Sequence, residues 1–317
     1  MATTGTQELI ASRKSGFRTQ LSYLVKYRYM MMLLIPGIVY LLVFHYFPMY
    51  GLVLAFKDFH IEKGLLRSPW AGLKHFRRLF MGNQLPKLIF NTVRISVSMT
   101  IFSFPAPIIL AILLNELRST AFKRTAQTIL YFPHFLSWVF LGAVVIEFLS
   151  PSSGVVGAIY RLIDKPAPIL MYRPGAFIPI LIISNIWKGA GYGTVVYLAS
   201  IAGINPELYE SAMIDGAGRF RMAIHITLPS LLPVITIFLI FRMGSLLNAN
   251  FEQIFNLMNP LVLDVADVLD TYIVRIGLQG FQYEFATAVS LFRAVVGFVL
   301  VFCTNLIAKR LSEYALW

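Results

Sequence analysis

Four basic side chains, Arg94, Lys188, Arg242 and Arg293, stand inside long apolar runs of this 317-residue chain. A cation at the centre of a bilayer costs about 2.5–3.5 kcal/mol on insertion scales, so it faces a wet cavity or a partner rather than lipid. The chemistry open to such residues is recognition of an anion. Asn185, Trp187, Tyr192, Asn248 and Asn250 lie in or near the same runs and could add hydrogen bonds and a stacking face. The runs carry acids only at their edges, Glu147 and Glu284. Two readings stay open. The bases line a pathway for a negatively charged ligand, or they brace helices by binding backbone carbonyls or acids of a partner chain. Arg94, near the end of its run, can also snorkel to the interface.

A second constellation is YESAMIDGAGRFRMAIHITLP, residues 209–229, a polar piece between two apolar runs. Asn205 and Pro206 make a good helix start, an N-cap followed by proline at the first helical position. Glu207 suits the positive end of the helix dipole, and Gly216 is a natural stop. The resulting helix, about 206–216, is too short to span a bilayer and marginal alone in water. It must therefore pack on something. Leu208, Tyr209, Ala212 and Met213 share one face. Ser211 and Ala212 are small enough for close approach, and Glu210 and Asp215 remain available to cations. This is the chemistry of docking, not of catalysis.

Other motifs fall away on inspection. GAGYG, Gly189 to Gly193, lies in an apolar run without the strand–turn–helix setting of a nucleotide loop, and close helix packing explains it better. There is no phosphate-cradling Gly-x-x-x-x-Gly-Lys-Ser/Thr, so the chain is expected not to hydrolyse ATP itself. His45, His60, His75, His134 and His225 show no metal-ligand spacing. No catalytic residue, metal site or bound cofactor is expected.

The elements that must position these residues follow from composition. The chain is 57% hydrophobic and 13% charged, against about 25% charged in a soluble domain; the solvent it fits is a bilayer. Its formal charge of +12 suits anionic headgroups rather than nucleic acid. Cys303 is the single cysteine, which excludes an intrachain disulfide. Six runs reach spanning length, about 30–48, 88–114, 125–148, 175–203, 229–248 and 284–308, and the residues between them make one membrane domain, 30–317. The segment 1–29 is polar and basic and carries no removable signal. Bases at Arg13, Lys14, Arg18, Lys26 and Arg28, with Lys309 and Arg310 in the tail, place both termini in the cytoplasm. That leaves 57–87 and 249–283 outside, the first with the look of an amphipathic interfacial helix.

The polar piece also carries a family resemblance. Glu210-Ser211-Ala212, three residues, Gly216, nine residues, then Ile226-Thr227-Leu228-Pro229 resembles the "EAA" signature of ABC-importer permeases. Ser211 stands where the family has its first alanine. In that family the segment is the cytoplasmic coupling helix seated on the ATPase subunit, which assigns Glu210, Ser211, Ala212, Asp215, Gly216 and Ala217 to ATPase coupling. The stretches KYRYMMMLLIPGIVYLLVFHYFPMYGLVLAFKDF, FPAPIILAILLNELRSTAFKRTAQTILYFPHFLSW and FEQIFNLMNPLVLDVADVLDTYIVRIGLQGFQYEFATAVSLF look like its LplB-like branch, with Met258-Asn259-Pro260 where carbohydrate permeases often have Gly-Gly-Pro. The likeness runs from about residue 27 to the end. It implies an all-α, six-helix type I importer permease of a bacterial inner membrane. The implied partners are a second, distinct permease, two ATP-binding cassette subunits holding ATP and Mg, and an outer solute-binding protein delivering complex oligosaccharides, including alginate-like uronate ones. The substrate pathway would be Asn185, Trp187, Lys188, Tyr192, Arg242, Asn248, Asn250 and Arg293. The competing class, a secondary transporter or channel without an ATPase, would need an intramembrane acid for its coupling ion.

Overall fold

The computed structural model describes residues 27–311 apart from 245, 246 and 248. Among these the chain is helical, with one isolated antiparallel bridge, Lys57 to Trp70. Helix α1 (Arg28–Leu41) continues through tighter and wider turns to Phe56. Helix α2 (Lys74–Met81) is short and amphipathic. Helices α3 (Gln84–Ser103) and α4 (Pro105–Asn115) form one bent rod. There follow α5 (Thr120–Tyr131), α6 (Trp138–Phe148), α7 (Val155–Leu162) and α8 (Pro174–Ala202). The chain ends with α9 (Pro206–Ile214), α10 (Leu228–Gly244), α11 (Phe251–Leu257), α12 (Leu269–Val274) and α13 (Tyr283–Leu311).

Among the described residues four helices are long and apolar enough to cross a membrane: Arg28–Phe56, Gln84–Asn115, Arg219–Met243 and Tyr283–Cys303. A broken fifth is the pair Thr120–Phe135 and Trp138–Phe148, bent by 105°. The continuous span expected at 125–148 is therefore an elbow. Pro133 lacks a backbone donor, the turn Phe132–Phe135 tightens, and Leu136 and Ser137 are extended before the Ser137 hydroxyl caps α6 by accepting from the Phe140 N–H at 3.3 Å. The run expected at 175–203 is α8. At 29 residues and about 43 Å it is long enough to cross, but it is not among the four on apolar grounds. Ser184, Asn185, Lys188 and three glycines dilute its middle. It can afford them because α3, α4, α5 and α10 pack around it and bury Phe177, Leu181, Ser184, Gly191 and Thr194.

Three apolar clusters hold the bundle. One joins Ile95 and Met99 of α3 to Phe177 and Leu181 of α8 and Ile254 and Leu257 of α11. A second joins Leu79, Leu85, Leu269, Phe285 and Val289. The third joins Ile108, Tyr197, Ile201 and Leu231. The apolar window of α1, by contrast, is not buried against the rest of the chain.

The segment 249–283, read from the sequence as a loop, packs into the bundle. Val262, Ala266, Val268 and Leu269 are fully buried. Buried polar side chains tie it down, as buried backbone demands. Asn91 donates to the carbonyls of Asp264 and Asp267 at 3.0 and 3.1 Å, and Thr92 accepts from the Leu269 N–H at 3.1 Å. Buried Gln253 donates to the Leu181 carbonyl at 2.7 Å. The expected amphipathic stretch 57–87 shortens to α2. Its inner face is Leu79 and His75, whose Nε2 is 3.0 Å from the Lys57 carbonyl.

Candidate functional site

The helix α9 is built locally at both ends. The Asn205 side chain accepts from the Glu207 N–H at 3.1 Å. At the other end Gly216 takes φ +76°, the left-handed conformation glycine adopts at no steric cost. The Gly216 N–H then donates to the Met213 carbonyl at 3.1 Å and the Ala217 N–H to the Ala212 carbonyl at 2.9 Å, the Schellman pairing that closes a helix. Tyr209, through its hydroxyl 2.9 Å from Thr227 Oγ1, anchors the helix to the start of the next apolar rod. Only Tyr209 and Ala212 turn toward the chain; Glu210, Ser211, Asp215 and Gly216 are exposed and Ala217 is half-buried. Leu208, Met213, Ile214 (87% exposed) and Phe220 (80%) present apolar surface outward. Arg219 meets Glu116, from the turn after α4, at 3.6 Å.

The proposed pathway residues do not converge on one site. Asn185 and Arg242 line a cavity of about 180 Å³ with Gly189 and Pro107, and Arg242 Nε reaches Thr100 Oγ1 at 3.4 Å. Asn250 and Arg293 line a larger, open-sided cavity of about 640 Å³ with Trp138, Glu252, Asp270 and Ser290. Asn250 sits there in the left-handed region, at φ 47°. Trp187 faces an apolar cavity of about 520 Å³ with Val144, Phe148 and Ile183. Lys188 and Tyr192 are at the elbow: Lys188 Nζ donates to the His134 carbonyl at 3.2 Å and to that of Leu136, and Tyr192 stacks on His134 at 3.9 Å. Asn248 lies outside the described residues.

Arg293 has an acid after all. It is ion-paired with Asp270 of α12, a residue expected in an outer loop. The inward folding of 249–283 brings it there, and Glu252 with it. The larger cavity thus has two carboxylates and one guanidinium, a polar surface without excess positive charge. Arg94 lies 5.7 Å from the Phe90 ring, and its buried Nε has no hydrogen-bond partner among the described residues. Sequence reasoning missed Trp138, Glu252 and Asp270. They lie far in sequence from Arg293, which they meet in the cavity, and no periodicity links them. Among the described residues no group of three His, Cys, Asp or Glu side chains could hold a metal ion.

GAGYG is explained by packing. A Cβ on Gly191 would lie 2.1 Å from the Leu130 carbonyl oxygen, and one on Gly193 would lie 2.8 Å from Pro107 Cβ. These glycines let α8 approach α5 and α4 closely.

Residues 103–313 match the family described as binding-protein-dependent transport system inner membrane component. Protein LplB of Bacillus subtilis (strain 168) is 40% identical over 290 residues, 92% of this chain and 91% of that one. The polygalacturonan/rhamnogalacturonan transport system permease protein YteP of the same organism is 38% identical over 311 residues, 98% of this chain and 97% of its own. A solved bacterial alginate ABC transporter, in complex with alginate pentasaccharide-bound periplasmic protein, contains a chain 41% identical to this one. It superposes with a TM-score of 0.84, covering 93% of this chain and 99% of that one. The chain belongs to the family of binding-protein-dependent transport system inner membrane components, the permeases of ABC importers.

Proposed function

We propose that this chain is one of two distinct permease subunits of an ATP-driven importer that takes acidic, uronate-containing oligosaccharides from a solute-binding protein. The observation that carries the coupling role is α9. It is a short helix capped at both ends, anchored by Tyr209, with Leu208, Met213 and Ile214 exposed. An exposed apolar patch rimmed by Glu210 and Asp215 is the surface of a docking element. Its occupant on this reading is an ATP-binding cassette subunit, which holds ATP and Mg. Both termini then face the cytoplasm, and the broken pair α5–α6 and the shielded helix α8 bring the crossings to six.

Nucleotide can drive the switch only if it binds the closed ATPase dimer better than the open one; α9 would carry that difference to the bundle. The acidic substrate is supported by the relatives. YteP is named for polygalacturonan and rhamnogalacturonan, and the solved neighbour for alginate. The cavity supports a polar, sugar-sized ligand through Asn250, Ser290, Glu252 and the Trp138 ring. Reconstitution with the partner permease, ATPases and binding protein tests the reading. Uptake of uronate oligosaccharides should require ATP and the binding protein and exceed that of neutral ones of equal length. Uptake by the permeases alone, or no preference for uronates, would overturn it.

A further inference from the structure

Residues 188–194 of α8 grip the elbow between α5 and α6 at four points. Lys188 Nζ donates to the carbonyls of His134, at 3.2 Å, and Leu136, and lies 5.3 Å from the Trp138 ring centroid. The Tyr192 ring is stacked on His134 within 6° of parallel. Gly191 lies against the Leu130 backbone. Tyr131 and Thr194 share a hydroxyl hydrogen bond of 3.3 Å.

Those carbonyls belong to a broken helix end. The last carbonyls of a helix have no intrahelical partner and carry the negative end of its dipole. Within a bilayer each unsatisfied group costs several kcal/mol. An ammonium has three donors and no acceptor, and two of those donors serve the elbow. Lys188 therefore acts as a cap supplied from another helix. From this grip α8 runs on as an unbroken helix to Ala202, and only Gly203 and Ile204 separate it from Asn205, the cap of α9. The elbow in turn carries Trp138, a wall of the larger cavity.

We infer that Lys188 is a positioning residue, not a ligand for the sugar: it latches the elbow to α8, so that movement of the docking helix carries the cavity wall with it. The inference rests on the reading of α9 as the ATPase-docking helix.

The test uses the full complex in proteoliposomes and measures sugar imported per ATP hydrolysed, with a neutral and a uronate oligosaccharide. Lys188→Met should keep its ATPase subunits but lower that ratio by about tenfold, the factor that corresponds to 1.4 kcal/mol. Both sugars should suffer alike. Lys188→Arg, which can also donate to two carbonyls, should restore most of it. Should Lys188→Met fail to assemble, Tyr192→Leu, which removes the stack on His134, should show the same lowered ratio. A loss confined to the uronate sugar, or a wild-type ratio in the variant that assembles, would overturn the latch. Absence of ATPase subunits from the wild-type complex would overturn the docking reading instead.

Discussion

Every hydrogen bond that shapes α9 comes from close by in sequence: Asn205 to Glu207, Ala217 to Ala212, and Tyr209 to Thr227 eighteen positions on. The elbow at 132–137 is held by side chains 52, 54 and 63 positions from their partners. Helix α9 is thus specified by its own neighbourhood, and it leaves Leu208, Met213 and Ile214 exposed. The elbow is a break that survives only because α8 satisfies it. A local signal can be damaged by one substitution within it. A break held from afar can be damaged from either side, and its members should be energetically coupled.

The largest effect should come from α9. Glu210→Lys, or Gly216→Pro, should reduce ATP-driven uptake by about tenfold or more, with insertion intact, since each 1.4 kcal/mol of lost docking is a factor of ten. Proline cannot take φ +76°, so the Schellman close is lost. Uptake and co-purified ATPase measure it, and wild-type values for both variants would remove α9 from the coupling path.

Next in size is the pair behind the larger cavity. Asp270→Asn leaves the Arg293 guanidinium, only 29% exposed, without its carboxylate. Breaking such a pair costs a few kcal/mol, about 3–5 in fully buried cases. The double variant Asp270→Asn with Arg293→Gln should melt closer to wild type than Asp270→Asn alone. A double variant destabilised by the sum of the two single losses would show that the two do not interact.

Packing between α8 and α5 comes third. Gly191→Ala must push a methyl toward the Leu130 carbonyl and should cost about 1–3 kcal/mol, as overpacking does. Gly189→Ala has nothing within 4 Å and should be neutral or stabilising by about 0.5–1 kcal/mol, the helix preference for alanine. Thermal melts of the two variants separate a packing glycine from an idle one in the same motif.

The smallest effect is outside the bilayer. Lys74, hydrogen-bonded to the Asp58 carboxylate at 2.8 Å, holds that carboxyl below its ordinary range. The folded value lies below the unfolded one. The contribution is therefore present above the ordinary carboxylate range and lost as pH falls through the folded value. For so exposed a pair it is a fraction of a kcal/mol. Hydrogen exchange across 57–75 should show acid lability in wild type that Lys74→Gln abolishes.

How much of this was legible in the sequence differs between the two regions for the same reason. Asn205, Pro206 and Gly216 announce a helix start and stop because capping is a matter of a few adjacent residues. Pro133 is compatible with a bend but does not set its 105°, which depends on what catches the freed carbonyls. The bases were legible as costly residues in need of a partner. Which partner was not, because Lys188 found carbonyls, Arg293 found Asp270, and neither lies within a helical turn of it. The 249–283 segment reads as a loop by its short, interrupted apolar stretches. Only the matching grooves beside α3 and α8, with Asn91, Thr92 and Gln253 to satisfy its backbone, bury it.

By itself the sequence determined the solvent, through its apolar content and long runs. It also determined helix α9, through local caps and spacing, and the lack of a phosphate-cradling loop. Those properties depend on residue type and on neighbours a few positions away. Only the tertiary structure decided that 125–148 is an elbow, that α8 is shielded enough to be polar, and that the basic residues are divided among an elbow, an ion pair and two cavities. Those outcomes depend on which distant groups meet at hydrogen-bond range, and in a dry interior each unmet donor or carbonyl carries a cost that only the assembled bundle can remove.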